Sequence, residues 1–147
     1  PWGLSWDDEN YYLVGYDSES DTLKHYRVDK MLHIQMSDEK REGQEHFERL
    51  NMADYAKKSF GMFSGKEQKV KLLVKNELAG VMIDRFGKDI MMIPKEEKYF
   101  TVNVDVHISN QFLGWVFSLG DGVKIISPDE VVEQMKQEVE RLQQQYF

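Results

Sequence analysis

The sequence has no cysteine, and this absence excludes disulfide bonds and thiolate metal sites. No apolar run approaches the roughly 18 residues that a membrane-spanning helix needs. The chain also does not begin with the charged and apolar segment of a secretory leader. These three absences predict a cytoplasmic protein without a membrane partner.

Motifs of catalysis are missing as well. Residues 61–66 are similar to a phosphate loop, but the glycines are one residue too close and Glu67 stands where Ser or Thr is needed. There is no nucleophile elbow, and His107 next to Asp105 is more typical of a solvated pair than of a catalytic one. None of the four histidines has the i, i+4 spacing of a helical metal pair: His25, His33, His46 and His107. We therefore expect no enzyme activity, no metal site and no cofactor.

The formal net charge of −7 is unevenly distributed. Residues 1–65 carry 8 Lys+Arg against 13 Asp+Glu (net −5), and residues 66–147 carry 11 against 13 (net −2). Nonspecific duplex binding depends on neutralising many phosphates. An acidic chain is a poor candidate for that, so any anion site has to be a local basic pocket.

The first part of the chain is rich in β-favouring residues and turn residues. A charged stretch at residues 38–50 is predicted to be solvated, and a helix capped by Asn51 and stopped by Gly61 is predicted after it. A sheet of about four strands has to curl into a half-barrel or pack on a helix to bury one of its faces. Four antiparallel strands are predicted, near residues 2–6, 11–16, 23–28 and 31–36.

The spacing of the apolar residues changes after a predicted domain boundary near residues 64–69. Strands are predicted at residues 70–74, 90–93, 101–108 and 123–126, with helices at 78–86 and 112–119. The resulting order β-α-β-β-α-β is that of a ferredoxin-like two-layer sandwich.

A last helix follows, predicted from a capping box at residues 127–130 with Pro128 in the first helical position. Its apolar residues form a 3-4-3-4 stripe that fits either packing on the sheet of its own domain or a dimer seam. The stripe consists of Val132, Met135, Val139, Leu142 and Tyr146.

Two stretches of the sequence resemble a known family, the WYL domain and the extension that usually follows it. The first stretch begins Pro1-Trp-Gly-Leu4 and continues with Tyr11-Tyr12-Leu13 and then Tyr26-Arg27-Val28-Asp29-Lys30-Met31. The family is named for a Trp-Tyr-Leu triplet and has a later Phe-Arg-Leu-Asp-Arg-Ile motif, so Tyr11 replaces the Trp and Lys30 replaces the second Arg. The extension is similar to residues 86–146, through Phe86-Gly87, residues 112–120, Ser127-Pro128 and a closing helix.

The resemblance implies an α+β protein, with an SH3-like β-barrel WYL domain at residues 1–64 and a ferredoxin-like α/β domain with a C-terminal helix at residues 66–147. It also implies a bacterial transcription regulator that acts as a homodimer and reads duplex DNA through a helix-turn-helix domain. Because that domain is not recognised in these 147 residues and the chain starts inside a strand pattern, we expect a fragment of a longer protein.

The candidate ligand site lies in residues 24–30, where three basic residues and a histidine accompany an aromatic ring. Arg27 could bind a phosphate or carboxylate through its planar donors, or it could simply pair with Asp29 or Asp21. If Tyr26 and Val28 are core, then His25 and Arg27 share the opposite face. Tyrosines next to basic groups are typical of single-stranded nucleic-acid binding. The predicted ligand-binding residues are Tyr12, Lys24, His25, Arg27 and Lys30.

Together with these residues, the resemblance implies an effector-sensing module that binds a single-stranded nucleic acid or a nucleotide-like ligand in a basic, aromatic-lined cleft. The alternative is a protein-interaction or dimerisation module with no small ligand.

Overall fold

The computed structural model describes residues 1–60 and 65–147, so the predicted helix stop at Gly61 lies outside the described residues. The chain divides into two compact units, Pro1–Ser64 and Gly65–Phe147. Both units combine helices with an antiparallel sheet, which makes the protein α+β.

The first unit contains a three-stranded sheet in the order β1-β2-β3, with β1 at Gly3–Asp7, β2 at Asn10–Asp17 and β3 at Thr22–Arg27. Asp8 and Glu9 form the two-residue turn between β1 and β2, with positive φ angles of 44° and 62°. Positive φ at both central residues gives the turn twist that two-residue hairpins favour. Among the described residues this sheet is open, and its strands do not close into a barrel.

The fourth strand predicted at residues 31–36 is wrong. This segment pairs with no strand in the described chain, and its apolar side chains Leu32, Ile34 and Met36 are exposed. His33 has a φ of 56°, in the left-handed region, and this interrupts the extended backbone that a ladder requires. An alternating sequence alone therefore did not produce a strand.

Two short helices cover one face of this sheet, α1 at Gln44–Glu48 and α2 at Met52–Lys58. The stretch predicted to be only solvated is therefore partly helical. The predicted cap is confirmed, because the Asn51 side chain accepts a hydrogen bond of 3.0 Å from the Ala53 N–H. On the covered face Val14 is fully buried.

The second unit has the predicted order of strands and helices, with ends that differ by at most three residues. Its strands form a four-stranded antiparallel sheet in the order β5-β6-β4-β7. The elements are β4 Glu67–Lys75, α3 Ala79–Phe86, β5 Met92–Lys95, β6 Tyr99–His107, α4 Asn110–Ser118, β7 Val123–Ser127 and α5 Asp129–Tyr146.

One face of this sheet is packed against the helices. Every second residue of the two central strands is buried, namely Val70, Leu72 and Val74 in β4 and Val102, Val104 and Val106 in β6. Met82 of α3, Phe112 of α4 and Val131 of α5 are also fully buried. The alternating pattern of β6 therefore marked a real core strand.

The predicted solvated pair of His107 and Asp105 is wrong. His107 is buried, and its Nε2 lies 3.9 Å from the carboxylate of Glu67, its cross-strand partner. Asp105 is exposed and lies 3.3 Å from Lys69. The β4–β6 register, which the sequence of one strand does not reveal, decides both partners.

The last helix differs from its prediction at its start and along its apolar stripe. Its N-cap residue is Pro128 without a capping side chain, because Ser127 is the last residue of β7, so the capping box is not formed. Burial is complete only at Val131, whereas Val139 is 51% exposed and Tyr146 is 72% exposed. The stripe is thus only half-buried, because Val132, Met135 and Leu142 are partly buried while Val139 and Tyr146 are exposed. In residues 1–60 and 65–147, we find no helix that combines the length and hydropathy of a membrane crossing.

Candidate functional site

The predicted site residues lie around the paired strands β2 and β3 of the first unit. The register of this pair shows which of the residues share a face of the sheet. Val14 pairs with His25, and Tyr12 pairs with Arg27. Since side chains alternate along a strand, these four residues share one face, which we call the inner face because α1 and α2 pack against it. Tyr26 lies on the other face and is exposed, so the sequence-based premise that Tyr26 is core is wrong.

Arg27 is held in a defined orientation at the end of β3. Its Nε and Nη2 donate hydrogen bonds of 3.0 and 2.9 Å to the two carboxylate oxygens of Asp29. Nη2 also donates a 2.7 Å hydrogen bond to the side-chain oxygen of Asn10. These contacts hold one edge of the guanidinium, while Nη1 on the other edge has no hydrogen-bond partner among the described residues.

The electrostatics of this pair follow from its geometry. The hydrogen bond to Asp29 is the main cause that raises the pKa of Arg27, and burial opposes it. The same hydrogen bond lowers the pKa of Asp29 below its ordinary value. The pair expected from the sequence as one possible role of Arg27 is therefore formed.

Tyr12 and His25 lie next to Arg27 on the inner face. Tyr12 is directly opposite Arg27, and His25 packs its ring against Tyr55 of α2 at a centroid distance of 5.3 Å. Tyr55 covers the His25 ring on the inner face, and its own burial raises the pKa of the Tyr55 hydroxyl. His25 therefore also has a packing role, beside the ligand role that the sequence predicts.

The two lysines are not brought together with Arg27 on this face. Lys24 points to the opposite face and forms an ion pair with Asp17, which raises the pKa of the lysine. Lys30 lies in the 3-10 turn Val28–Lys30, exposed and 3.9 Å from Asp29. The basic cluster in the sequence is thus divided, and each cation faces a carboxylate.

The opposite side of the sheet, which we call the outer face, presents a group of exposed apolar side chains beside Lys24. The register places Leu4, Leu13 and Tyr26 in one row across the three strands, and Trp6 and Tyr11 in the next row. Trp6 and Tyr11 are 58% and 57% exposed, and their rings meet edge to face at 4.6 Å. The sequence analysis missed this face. The signal for it was the spacing of two residues between the apolar side chains Leu4 and Trp6 and between Tyr11 and Leu13.

Metal chemistry has no candidate in the described part of the chain. No group of three or more His, Asp or Glu side chains there is arranged to hold an ion. The Nη1 edge of Arg27, next to the Tyr12 phenol ring, instead offers donors to an anion.

Comparisons with known proteins give two family matches. The family described as WCX domain matches residues 66–143, more than half of the chain, and the family described as WYL domain matches residues 1–36. No curated protein matches the sequence.

Among solved structures, the chain is similar to proteasome accessory factor B/C (PafBC) of Arthrobacter aurescens, with 17% identity and a TM-score of 0.40. The match covers 92% of this chain but only 20% of that protein. The chain therefore spans about a fifth of the length of this relative, and the likeness is too low to support an inference about function.

Proposed function

The chain belongs to the WCX-domain family and has a WYL domain ahead of its WCX domain, and on this premise we propose that it is the effector-sensing, regulatory region of a bacterial transcription regulator. Such a region binds a ligand and passes that state to a separate helix-turn-helix domain. It needs no catalytic residues, and it acts in the cytoplasm, where the chromosome is. In this proposal the open three-stranded sheet is the core of the WYL domain, and the second unit is ferredoxin-like.

We propose that the effector is a single-stranded nucleic acid or a nucleotide-like molecule that binds at Arg27. The observation that supports this most directly is the pairing of Arg27 with Tyr12 across the β2–β3 ladder, with the guanidinium oriented by Asp29 and Asn10. An oriented guanidinium next to an aromatic ring offers a phosphate ligand donors and offers a base a stacking surface.

Asp29 makes this proposal testable, because its carboxylate occupies the donors that an anion would use. A phosphate has to bind through Nη1 or displace Asp29 from Arg27. Removing the carboxylate charge therefore strengthens binding of an anionic effector, whereas removing the guanidinium weakens it. A purely structural Arg27–Asp29 pair predicts no effect of either change on ligand affinity.

The experiment measures fluorescence anisotropy of labelled short single-stranded DNA and RNA, with nucleotides as competitors. We expect Arg27→Ala to weaken binding by about 1.5–3 kcal/mol, the range for losing hydrogen bonds to a charged group. Asp29→Asn strengthens binding, and Asp38→Asn, which removes the same charge from an exposed position, does so less. If no probe binds, or if Arg27→Ala leaves the affinity unchanged, the site is assigned wrongly.

A second candidate function, a protein-interaction or dimerisation module, is supported by a groove between α4 and α5. The groove has a volume of about 660 Å³ and a largely apolar lining that includes Val116, Val132 and Met135. Phe117 at its edge is exposed, as is Val139. Light scattering separates the candidates: if the chain is a dimer and Val139→Asp makes it a folded monomer, this surface is the interface. A parent that is monomeric at every concentration contradicts the dimer.

A further inference from the structure

The outer face of the first sheet is unusual because several of its exposed side chains are large and apolar. An antiparallel sheet with one covered face normally presents polar residues on the other. Here the inner face is covered by α1 and α2, yet the outer face presents Leu4, Trp6, Tyr11 and Tyr26. Contiguous exposed apolar surface of this kind marks an interaction site.

We propose that this outer face binds an extended, basic peptide segment of a partner protein, a function separate from the effector site at Arg27. Charge is the first argument. The first unit carries 8 Lys+Arg against 13 Asp+Glu, and two acidic residues, Asp8 and Glu9, form the turn next to the Trp6–Tyr11 pair. Lys24, the cation of this face, is already paired with Asp17. A polyanion is repelled by such a surface, whereas a basic segment is attracted to it.

Ring chemistry is the second argument. The faces of Trp and Tyr rings are electron-rich and attract guanidinium and ammonium groups. This unit already contains such a contact, because the Arg41 guanidinium lies 4.5 Å from the centroid of the Trp2 ring. The exposed Trp6 indole offers the same contact to a cation from outside.

Spacing is the third argument, and it selects an extended partner. The row of Leu4, Leu13 and Tyr26 and the row of Trp6 and Tyr11 are two residues apart along β1 and β2. Two residues of a strand rise about 6.7 Å, which is also the distance between residues i and i+2 of an extended peptide. An aliphatic side chain can therefore rest on the first row while a basic side chain two positions away lies on the second.

The test is an NMR titration of the full chain, since the three indole N–H signals of Trp2, Trp6 and Trp115 report separate places. The probe is a short peptide in which arginine and leucine alternate with serine. One control peptide has glutamate in place of arginine, and a second probe is a short oligothymidylate. We expect the arginine peptide to shift the Trp6 signal and to bind more weakly as salt is added. Neither of the other two probes should shift Trp6 at the same concentration.

The variants separate this site from the effector site. Trp6→Ala and Tyr11→Ala each weaken binding of the arginine peptide by roughly three- to tenfold, as expected for losing a cation–π contact. Trp6→Phe keeps an aromatic ring and therefore loses less affinity for the arginine peptide. The double variant Asp8→Asn with Glu9→Gln weakens binding of this peptide while leaving the rings in place. Arg27→Ala, on the inner face, does not weaken it, so the two sites can fail independently.

Three results would overturn the proposal. One is a Trp6 signal that does not move with the arginine peptide, and another is equal binding of the glutamate peptide. The third is stronger binding of oligothymidylate through Trp6, which would make the outer face a base-stacking surface for single strands.

Discussion

The two units of this chain obtain their order in different ways. The described part of the first unit buries two hydrophobic side chains, Val14 and Phe60, whereas that of the second unit buries fourteen. In the first unit the covered face relies on ring contacts, such as Trp2 stacked on Phe47 at 5.7 Å, and on polar pairs such as Arg27 with Asp29. Units with few buried apolar contacts open at lower free-energy cost. The candidate effector site and the candidate peptide surface therefore lie in the less stable unit.

The largest expected effect is on the core of the second unit. Leu72→Ala removes a fully buried side chain from β4 and lowers the free energy of unfolding by about 2–5 kcal/mol. Leu4→Ala, at an exposed position of β1, changes it by less than about 0.5 kcal/mol. Denaturant unfolding with probes in each unit measures both. Equal losses from the two changes would remove the contrast between the units.

A smaller effect is expected for Phe47→Ala in the first unit. Phe47 stacks on Trp2 and lies against Gly3, so its loss loosens α1 from the sheet. Because Phe47 is only half-buried, we expect a cost of about 1–2 kcal/mol, below that of a buried core residue. Hydrogen exchange in β1 should increase while exchange in β4 and β6 stays unchanged. Phe117→Ala, which trims an exposed ring of the second unit, is the control.

The helix caps allow the same chemical change to be compared in both units. The side chain of Asn51 accepts from the Ala53 N–H, and that of Ser109 accepts from the Phe112 N–H at 3.3 Å. Replacing either residue with Ala costs about 1 kcal/mol. We expect Asn51→Ala to increase hydrogen exchange locally in α2, and Ser109→Ala to lower only the global stability of the second unit. The proposed difference between the units is contradicted if Ser109→Ala also increases amide hydrogen exchange locally in α4.

The smallest effects are expected from the titration of exposed ion pairs. The pKa values of Asp29 and Asp121 are lowered by their hydrogen bonds to Arg27 and Lys75. A lowered carboxyl pKa gives stability that is present above the ordinary value near 4 and is lost as the pH falls through the folded value. Carboxyl titration by NMR should show that Arg27→Ala raises the pKa of Asp29 without changing that of Asp121. If the pKa of Asp29 does not rise, the pair is not formed in solution.

Much of the second unit could be predicted from its sequence because its pattern and its burial agree. Val102, Val104 and Val106 alternate with polar residues, and the sheet has one packed face, so period and environment give the same result. In the first unit the first three predicted strands are formed, and the pattern was misleading only for the fourth. Residues 31–36 alternate equally well but form no strand, because alternation supplies no partner for the backbone hydrogen bonds.

The candidate site could be predicted in part. The sequence placed Arg27 and His25 on one strand face, and one of the two roles open to Arg27 was a pair with Asp29, which is formed. It could not predict that Lys24 pairs with Asp17 or that Asn10, from the neighbouring strand, also holds the guanidinium. Those contacts depend on the β2–β3 register and on which face the helices cover.

The sequence by itself determined the elements that rest on local interactions. These include the Asn51 cap, the helices of the second unit and the alternating core strand β6, because each needs only neighbouring residues and a generic apolar environment. Only the tertiary structure decided which face of the first sheet is covered, that the stripe of α5 remains half-exposed, and that His107 is buried against β4. Each of these outcomes depends on a surface contributed by residues distant in the chain, and no local pattern encodes which surface that will be.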